Sequence, residues 1–421
     1  MKGWKKSELG DIAAINYGYT AKASFEEVGP KFLRITDIQN DSVDWSSVPL
    51  CPIDEADFKK HRLYDQDIVF ARTGATTGKS YLVCDPPESV AASYLIRLRV
   101  EDSGVLARFV SKYFQTREYW DSVTSGISGS AQGGFNASKL SAMVIPIPPI
   151  AEQKQIVAIL DEAFEGIDSA IANTERNIAN ARELFESYLN AIFTRKGDDW
   201  EETKLGKLLK ILTDYHANGS YKILKQNVEL LDTEGYAHMV RSTDFEHGFQ
   251  NAFKYIDQHA YEFLAKSKIF GGEVIISKIG NAGKVYLMPE LEMPSSLAMN
   301  LFLLRTDQDQ LRSDYLYFFL ESTLGRVQIS ERLNGTTTKT IRKDGIRSIS
   351  VRFPAIEEQE KIVEKLTYVL DETKRLEAVY QQKLAALNEL KQSILQKAFS
   401  GELTAEVGDA AGLGAKEVVA A

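Results

Sequence analysis

Cysteine is nearly missing from this chain. Two in 421 residues, Cys51 and Cys84, form neither a metal-ligand spacing nor a disulfide framework, and a reducing cytoplasm fits them. Long hydrophobic runs are missing too. No stretch of about 18 apolar residues and no basic-then-apolar N-terminal segment is present, so neither membrane spanning nor secretion is expected. The five histidines, His61, His216, His238, His247 and His259, are scattered, and none is paired at i, i+4 or with a cysteine. A metal site is therefore not expected. Positive charge is in deficit: 50 Lys and Arg against 59 Asp and Glu leave −9. That argues against a protein that coats nucleic acid by bulk charge. The deficit is uneven, however. Residues 1–148 hold 17 basic and 18 acidic side chains and residues 197–355 hold 20 and 21, so each is almost neutral. A near-neutral domain can still present a basic face.

What the chain does contain is a copy of itself, displaced by 206 residues. Pro148-Pro149-Ile150-Ala151-Glu152-Gln153 aligns with Pro354-Ala355-Ile356-Glu357-Glu358-Gln359, and the same offset carries Ile156-Val157 onto Ile362-Val363 and Phe193 onto Phe399. Upstream the match is looser. Trp4-x4-Leu9-Gly10 resembles Trp200-x4-Leu205-Gly206 at an offset of 196, and Arg34-x2-Asp37 resembles Arg241-x2-Asp244. Asp67 to Gly74 resembles Glu273 to Gly280, each leading to a Gly-Lys pair, Gly78-Lys79 and Gly283-Lys284. Internal repeats of this kind set the architecture. Short apolar, β-branched runs bounded by turn residues predict strands at 67–72, 94–100 and 143–147, with partners at 273–278, 300–305 and 349–353. Helices are expected over 106–124 and 313–330. The fold class is therefore α+β, each copy a small α/β domain with a mostly antiparallel sheet.

The segments after each domain read as long helices. Val157, Phe164, Ile171, Ile178, Phe185 and Ile192 recur every seven residues, with Leu160, Ile167, Ala181 and Tyr188 three residues on. Leu366, Thr373, Tyr380, Leu387 and Ile394 repeat likewise in the second copy. This is the seam of a coiled coil. Forty-odd helical residues span about 60 Å, too long an apolar stripe for one 150-residue domain to cover. Because the second domain lies between the helices in sequence, an antiparallel pair is expected, giving a pseudo-twofold internal repeat. The competing reading lays each helix on its own domain. If the pair acts as a ruler, four residues inserted within 165–185 lengthen it by about 6 Å, and a DNA spacer by about two base pairs at 3.4 Å each.

The proline-ended strand, Ala151-Glu152-Gln153-x2-Ile156-Val157 and the long helix, with the second copy closing in Ser393 to Leu403, resemble the conserved regions of type I restriction–modification specificity subunits. The Arg-x-Thr-Asp and Arg/Lys-x-Gly segments resemble that family's target-recognition domains. The resemblance implies target-recognition domain 1 at 1–148, a spacer helix at 149–196, target-recognition domain 2 at 197–355, a second spacer helix at 356–403, and a flexible tail at 404–421. It implies two domains that each read one half of a bipartite double-stranded DNA target. It further implies helices that set the spacing and dock modification subunits, two of them, with restriction subunits if these are present. It implies a chain with no catalytic activity and no cofactor of its own, S-adenosylmethionine being bound by the partner. The alternative is a self-sufficient DNA methyltransferase or nuclease with appended recognition domains; a purely structural coiled-coil protein is the third reading.

Motifs for independent catalysis fall short. Thr73-Gly74-Ala75-Thr76-Thr77-Gly78-Lys79-Ser80 misses the P-loop pattern by its first glycine and reads as a hairpin turn. Asp85-Pro86-Pro87-Glu88 has Glu88 where an adenine methyltransferase needs an aromatic ring to stack on the flipped base. For DNA contacts, residues common to both copies suit phosphates or structure: Arg34 and Arg241, Arg72 and Lys278, Lys79 and Lys284. Base readers are expected where the copies diverge, in polar loops. Candidates are Gln132, Asn136 and Lys139 in the first domain, and Lys222, Asn334, Lys339, Arg342 and Lys343 in the second.

Overall fold

The computed structural model of the chain describes residues 3–26, 29–39, 41–128, 134–195, 199–250 and 253–404. It divides into two units, Met1–Glu175 with Gln381–Ala421, and Arg176–Tyr380. The divisions fall inside two uninterrupted 45-residue helices, α1 (Ile150–Thr194) and α2 (Ile356–Ser400). Each helix thus begins in one unit and ends in the other.

In the first unit, β1 (Ala13–Tyr17), β2 (Ile68–Ala71), β3 (Ser80–Leu82) and β4 (Leu95–Val100) form an antiparallel sheet in the order β1-β4-β2-β3. In the second, β5 (Leu209–Asp214), β6 (Val274–Ser277), β7 (Val285–Leu287) and β8 (Leu301–Thr306) repeat it as β5-β8-β6-β7. The sequence places β2, β4, β6 and β8 within a residue or two; β1, β3, β5 and β7 carry no strand expectation. Both sheets are covered on one face by apolar side chains from the following helices. The helices expected at 106–124 and 313–330 are each broken in two: Ala107–Tyr113 then Arg117–Ser128, and Ser313–Glu321 then Thr323–Ser330. A buried hydroxyl starts each second piece. Thr116 Oγ1 accepts the Tyr119 N–H at 3.2 Å, and Ser322 Oγ accepts that of Gly325 at 3.3 Å. Such a side-chain cap satisfies an N–H that the helix end would otherwise leave bare.

The register also fixes which residues correspond. Tyr17 pairs with Ile96, and Asp214 with Phe302. Ile96 and Phe302 are 206 apart, so Asp214 stands in the second sheet where Tyr17 stands in the first. A parallel pair accompanies each sheet, Lys31–Leu33 with Ser89–Ala91 and Ala237–Val240 with Ser295–Leu297. In the second unit this pair grows to four strands by adding Tyr255–Ile256 and Lys268–Ile269. Each sheet also holds a partly buried ion pair: Arg99 grips Asp67 through Nε at 2.7 Å and Nη2 at 2.6 Å, as Arg305 grips Glu273 at 3.2 and 2.9 Å.

Within each unit the two helix segments run antiparallel. In the first, Glu152 meets Thr404 at 2.8 Å and Asp168 meets Lys391 at 2.8 Å. In the second, Arg182 binds Glu377 at 3.0 Å, and Leu189 and Phe193 share a core with Val363 and Leu366. The seam is buried as the heptads require, with Val157, Leu160, Phe164, Ile167, Ile178, Leu366 and Thr373 all inside. The helix ends do more than pair. Phe399 packs on Phe109 and Tyr113 with ring centroids 5.0 and 5.4 Å away, and Phe193 packs on Tyr315 and Phe319 at 5.4 and 5.6 Å. The far end of each helix thus packs on the domain of the other copy, not on its own as the competing reading has it, and the coiled-coil reading describes their length.

The shared Glu-Gln motif has a clear job. Gln153 is fully buried; its Oε1 accepts the Leu106 N–H and its Nε2 donates to Gly104 O and Pro148 O, all at 2.8 Å. Gln359 does the same with Arg312 N at 3.0 Å and with Gln310 O and Pro354 O at 2.8 Å. A carboxamide offers one acceptor and two donors, so each glutamine ties three backbone groups of loop, strand end and helix start together.

Candidate nucleic-acid interface

Each four-stranded sheet ends in a glycine turn joining its two short strands. In the first unit Gly74 and Gly78 hold φ of +78° and +95° and the chain returns as β3, with Gly78 N–H bonded to Ala71 O at 2.9 Å. In the second, Gly280 and Gly283 hold +83° and +88° and Gly283 N–H bonds to Ser277 O at 2.8 Å. Side chains other than glycine rarely tolerate these angles. The turn runs from strand to strand, so it is a hairpin with no helix N-terminus behind it, as the broken P-loop pattern suggests. Asp85-Pro86-Pro87-Glu88 is likewise a turn, between β3 and Ser89–Ala91.

The basic residues common to both copies are mostly engaged. Arg34 closes on Asp37 with Nε at 3.0 Å and Nη2 at 2.6 Å, while Asp37 also accepts the Arg34 N–H at 2.8 Å. Arg241 and Asp244 reproduce this at 3.4, 2.8 and 2.7 Å. Burial pushes the Asp244 carboxyl up, but His238 and Arg241 beside it bring it below its ordinary value. Lys79 Nζ donates to Ile38 O at 3.1 Å, and Lys284 Nζ stands 3.6 Å from Glu246 Oε1. These lysines fasten the glycine turn to the neighbouring Arg-x2-Asp turn.

At the other flank of the glycine turn the two units part company. In the first, the Phe135 N–H bonds to Arg72 O at 2.9 Å and the Ala137 N–H to the Tyr17 hydroxyl at 3.2 Å. The Arg72 guanidinium lies over the Tyr17 ring, 4.7 Å from its centroid. Asn136 caps the helix Ala137–Ser141 by accepting the Lys139 N–H at 2.9 Å, and Lys139 Nζ donates to Gly126 O at 2.7 Å. In the second, the Ile341 N–H bonds to Lys278 O at 3.2 Å, the same link 206 residues on. Here, though, the Asp214 carboxylate receives Lys278 and Lys343, each at 3.0 Å. Burial pushes that carboxyl up, and the two ammonium groups more than offset it, so it sits below the ordinary range.

Of the sequence candidates, Arg72 is joined by a backbone bond to Phe135, the neighbour of Asn136, and Lys278 meets Lys343 at Asp214. Asn334 and Thr340 exchange backbone bonds at 2.8 Å, closing a hairpin whose tip holds Lys339. Among the described residues, no partner meets the exposed side chains of Lys339 or Arg342. Lys222 lies on a separate helix, Tyr221–Asn227, anchored by Leu224 in another apolar cluster. Gln132 lies outside the described residues. Sequence reasoning missed Tyr17 and Asp214; their signal was the looser offset of the N-terminal segments. Among the described residues no group of His, Cys, Asp and Glu is placed to hold a metal ion, and no helix is long and apolar enough to cross a membrane.

A family model described as the type I restriction modification DNA specificity domain matches residues 1–178 and 197–386. The chain is similar to the EcoKI specificity subunit of Escherichia coli (strain K12), 24% identical over 428 residues that cover 96% of this chain and 90% of that one. It is similar to the EcoBI specificity subunit of Escherichia coli, 21% identical over 430 residues, 96% of this chain and 87% of the other. A putative MjaX specificity subunit of Methanocaldococcus jannaschii is 23% identical over 401 residues, 89% of each. Among solved structures, a chain from work on complex assembly and conformational transition of the type I R-M system shares 17% identity at a TM-score of 0.72, covering 96% of this chain and 99% of that one. The HsdS subunit from Thermoanaerobacter tengcongensis shares 18% at 0.51, covering 96% and 98%. At these identities the structural likeness is one of fold.

Proposed function

Because the chain belongs to the type I restriction–modification DNA specificity family, we propose that its two faces, one beside each glycine turn, read the two halves of a bipartite double-stranded DNA target. The chain is a specificity subunit with two target-recognition domains, and it recognises DNA for a complex rather than acting as the enzyme. The observation that carries the reading is a shared frame with unlike filling. The same antiparallel sheet, glycine turn and glutamine latch occur twice, while Tyr17 with Arg72 in one copy is replaced by Asp214 with two lysines in the other. A duplicated frame presents two surfaces; differing side chains let them prefer different sequences.

The remaining assignments follow from this. Residues 1–148 and 197–355 are the recognition domains, 149–196 and 356–403 the spacer helices, and 404–421 a tail. The helices dock two modification subunits, which bind S-adenosylmethionine and methylate adenine; restriction subunits join where they exist, in the cytoplasm. The purified chain, incubated with duplex DNA and S-adenosylmethionine, is expected to transfer no methyl group. Together with its modification subunits it is expected to direct methylation to one split sequence. Methyl transfer by the chain alone overturns the reading and favours a self-sufficient enzyme.

A further inference from the structure

Arg34, Arg99, Arg241 and Arg305, which flank the two sheets, each close on a carboxylate. Arg97 meets no carboxylate but donates through Nη1 to the Lys60 and Arg62 carbonyls at 3.0 Å. Among the described residues the Arg72 side chain meets neither a carboxylate nor a carbonyl. Its guanidinium rests on the Tyr17 ring, and its buried Nε has no hydrogen-bond partner. Arg72 is half-buried, and the residues beside it in the turn, Gly74, Ala75 and Thr76, are exposed, so the site lies at an accessible edge of the sheet. An arginine without an acceptor retains a donor set that something from outside must complete. At the equivalent place in the second unit the arrangement is closed: Lys278 already has Asp214, and so does Lys343.

We propose that Arg72, held flat by Tyr17, reads a guanine in the half of the target that the first domain contacts, and that Asp214 removes this reading from the second. The inference rests on the DNA-reading role proposed above. A guanidinium is a rigid planar fork of donors and stacks on an aromatic face. The O6 and N7 acceptors of guanine in the major groove match two of those donors side by side. Stacking fixes the plane of the fork before DNA arrives, and the Tyr17 hydroxyl, bound by the Ala137 N–H at 3.2 Å, fixes the ring. Tyr17 is the positioning residue. A phosphate needs no such plane, and lysines suffice for it; the lysine-rich counterpart in the second unit suits a phosphate, with its charge halved by Asp214.

The test uses the full complex of this chain with its modification subunits and S-adenosylmethionine, acting on a duplex library randomised across both half-sites. Methylated molecules are sequenced, at two salt concentrations. Arg72→Ala is expected to lose about 10- to 100-fold of the preference for one G·C pair in one half-site, leaving the other half-site as it was. Arg72→Lys, which keeps the charge and loses the fork, is expected to lose the same preference. Tyr17→Ala follows Arg72→Ala, whereas Tyr17→Phe, which keeps the ring under the guanidinium and loses only its hydroxyl anchor, retains most of the wild-type preference. A uniform fall over all sequences with a shallower salt dependence makes Arg72 a phosphate contact and overturns the proposal. So does an unchanged preference in Arg72→Lys, the variant least disturbing to the fold. A wild-type complex with no split target overturns instead the function proposed above.

Discussion

Gln153, 47 residues beyond Leu106 and fully buried, accepts the Leu106 backbone N–H at 2.8 Å while donating to two carbonyls. Gln359 holds the Arg312 N–H in the same way. Gln153→Ala removes the partner of one N–H and two carbonyls, of which the Pro148 carbonyl is buried and the other two groups are part-buried. At about 1–3 kcal/mol for a group that water cannot reach, the first unit is expected to lose about that much. Denaturant unfolding of Gln153→Ala, and of Gln359→Ala for the second unit, checks this. A midpoint unchanged in either excludes the latch as a source of stability.

Phe399 and Phe193 make a matched pair of predictions. Removing a buried phenylalanine typically costs about 3–5 kcal/mol. Phe399→Ala is expected to weaken the first unit, seen as faster amide exchange in Ala107–Tyr113, and Phe193→Ala the second, seen in Ser313–Glu321. If either variant loosens only the helix carrying the ring, these residues are not core.

Acid is expected to act on the second unit through Asp214 and Asp244, both of which sit below the ordinary carboxyl value of 3.8. For each, burial works upward and the neighbouring cations prevail. A carboxyl depressed in the folded state stabilises it above the unfolded pKa, and that contribution is lost as pH falls through the folded one. The unfolding free energy of the second unit should therefore drop as pH falls below about 4. Asp214→Asn should flatten that drop. Identical slopes with and without the substitution speak against the ion pairs as its cause.

Lys339 and Arg342, exposed beside the hairpin closed by Asn334 and Thr340, belong to the part of the second domain that has no close copy in the first. Alanine at either is expected to relax sequence preference in one half-site of the complex, by about 1–3 kcal/mol if a bidentate base contact is lost. If instead the log of affinity against log salt becomes less steep by about 0.9 with preference intact, the residue grips phosphate.

The long helices were legible because heptads write themselves locally, and so were the central frame strands β2, β4, β6 and β8, which are largely apolar runs; their neighbours β1, β3, β5 and β7 were not. Nor were the broken helices. Thr116 and Ser322 look like ordinary helix residues until their hydroxyls are seen capping the next turn. The parallel pairing of Ala237–Val240 with Ser295–Leu297 joins segments far apart in sequence and leaves no local mark. At the candidate site Arg72 and Lys278 fall, by sequence, among the shared residues suited to phosphates or structure, whereas Arg72 is proposed above as a base reader. The individual assignments were less legible. Arg72 and Lys278 look equivalent in sequence because both are cations. Their difference lies in Tyr17 and Asp214, which share no chemistry and are aligned only by strand register.

The phenylalanine that closes each core arrives from the far end of a helix begun in the other copy. The receiving rings are alike, Phe109 and Tyr113 in one shell, Tyr315 and Phe319 in the other. Each socket thus offers one phenylalanine and one tyrosine to its plug. A gene rearrangement joining a foreign recognition segment at Pro148 or Pro354 would inherit a fitting plug from the resident helix without needing to bring its own. The same interlock penalises a break within α1 or α2, which would part a socket from its plug. The chain is in this sense built for exchange at its prolines and for permanence along its helices.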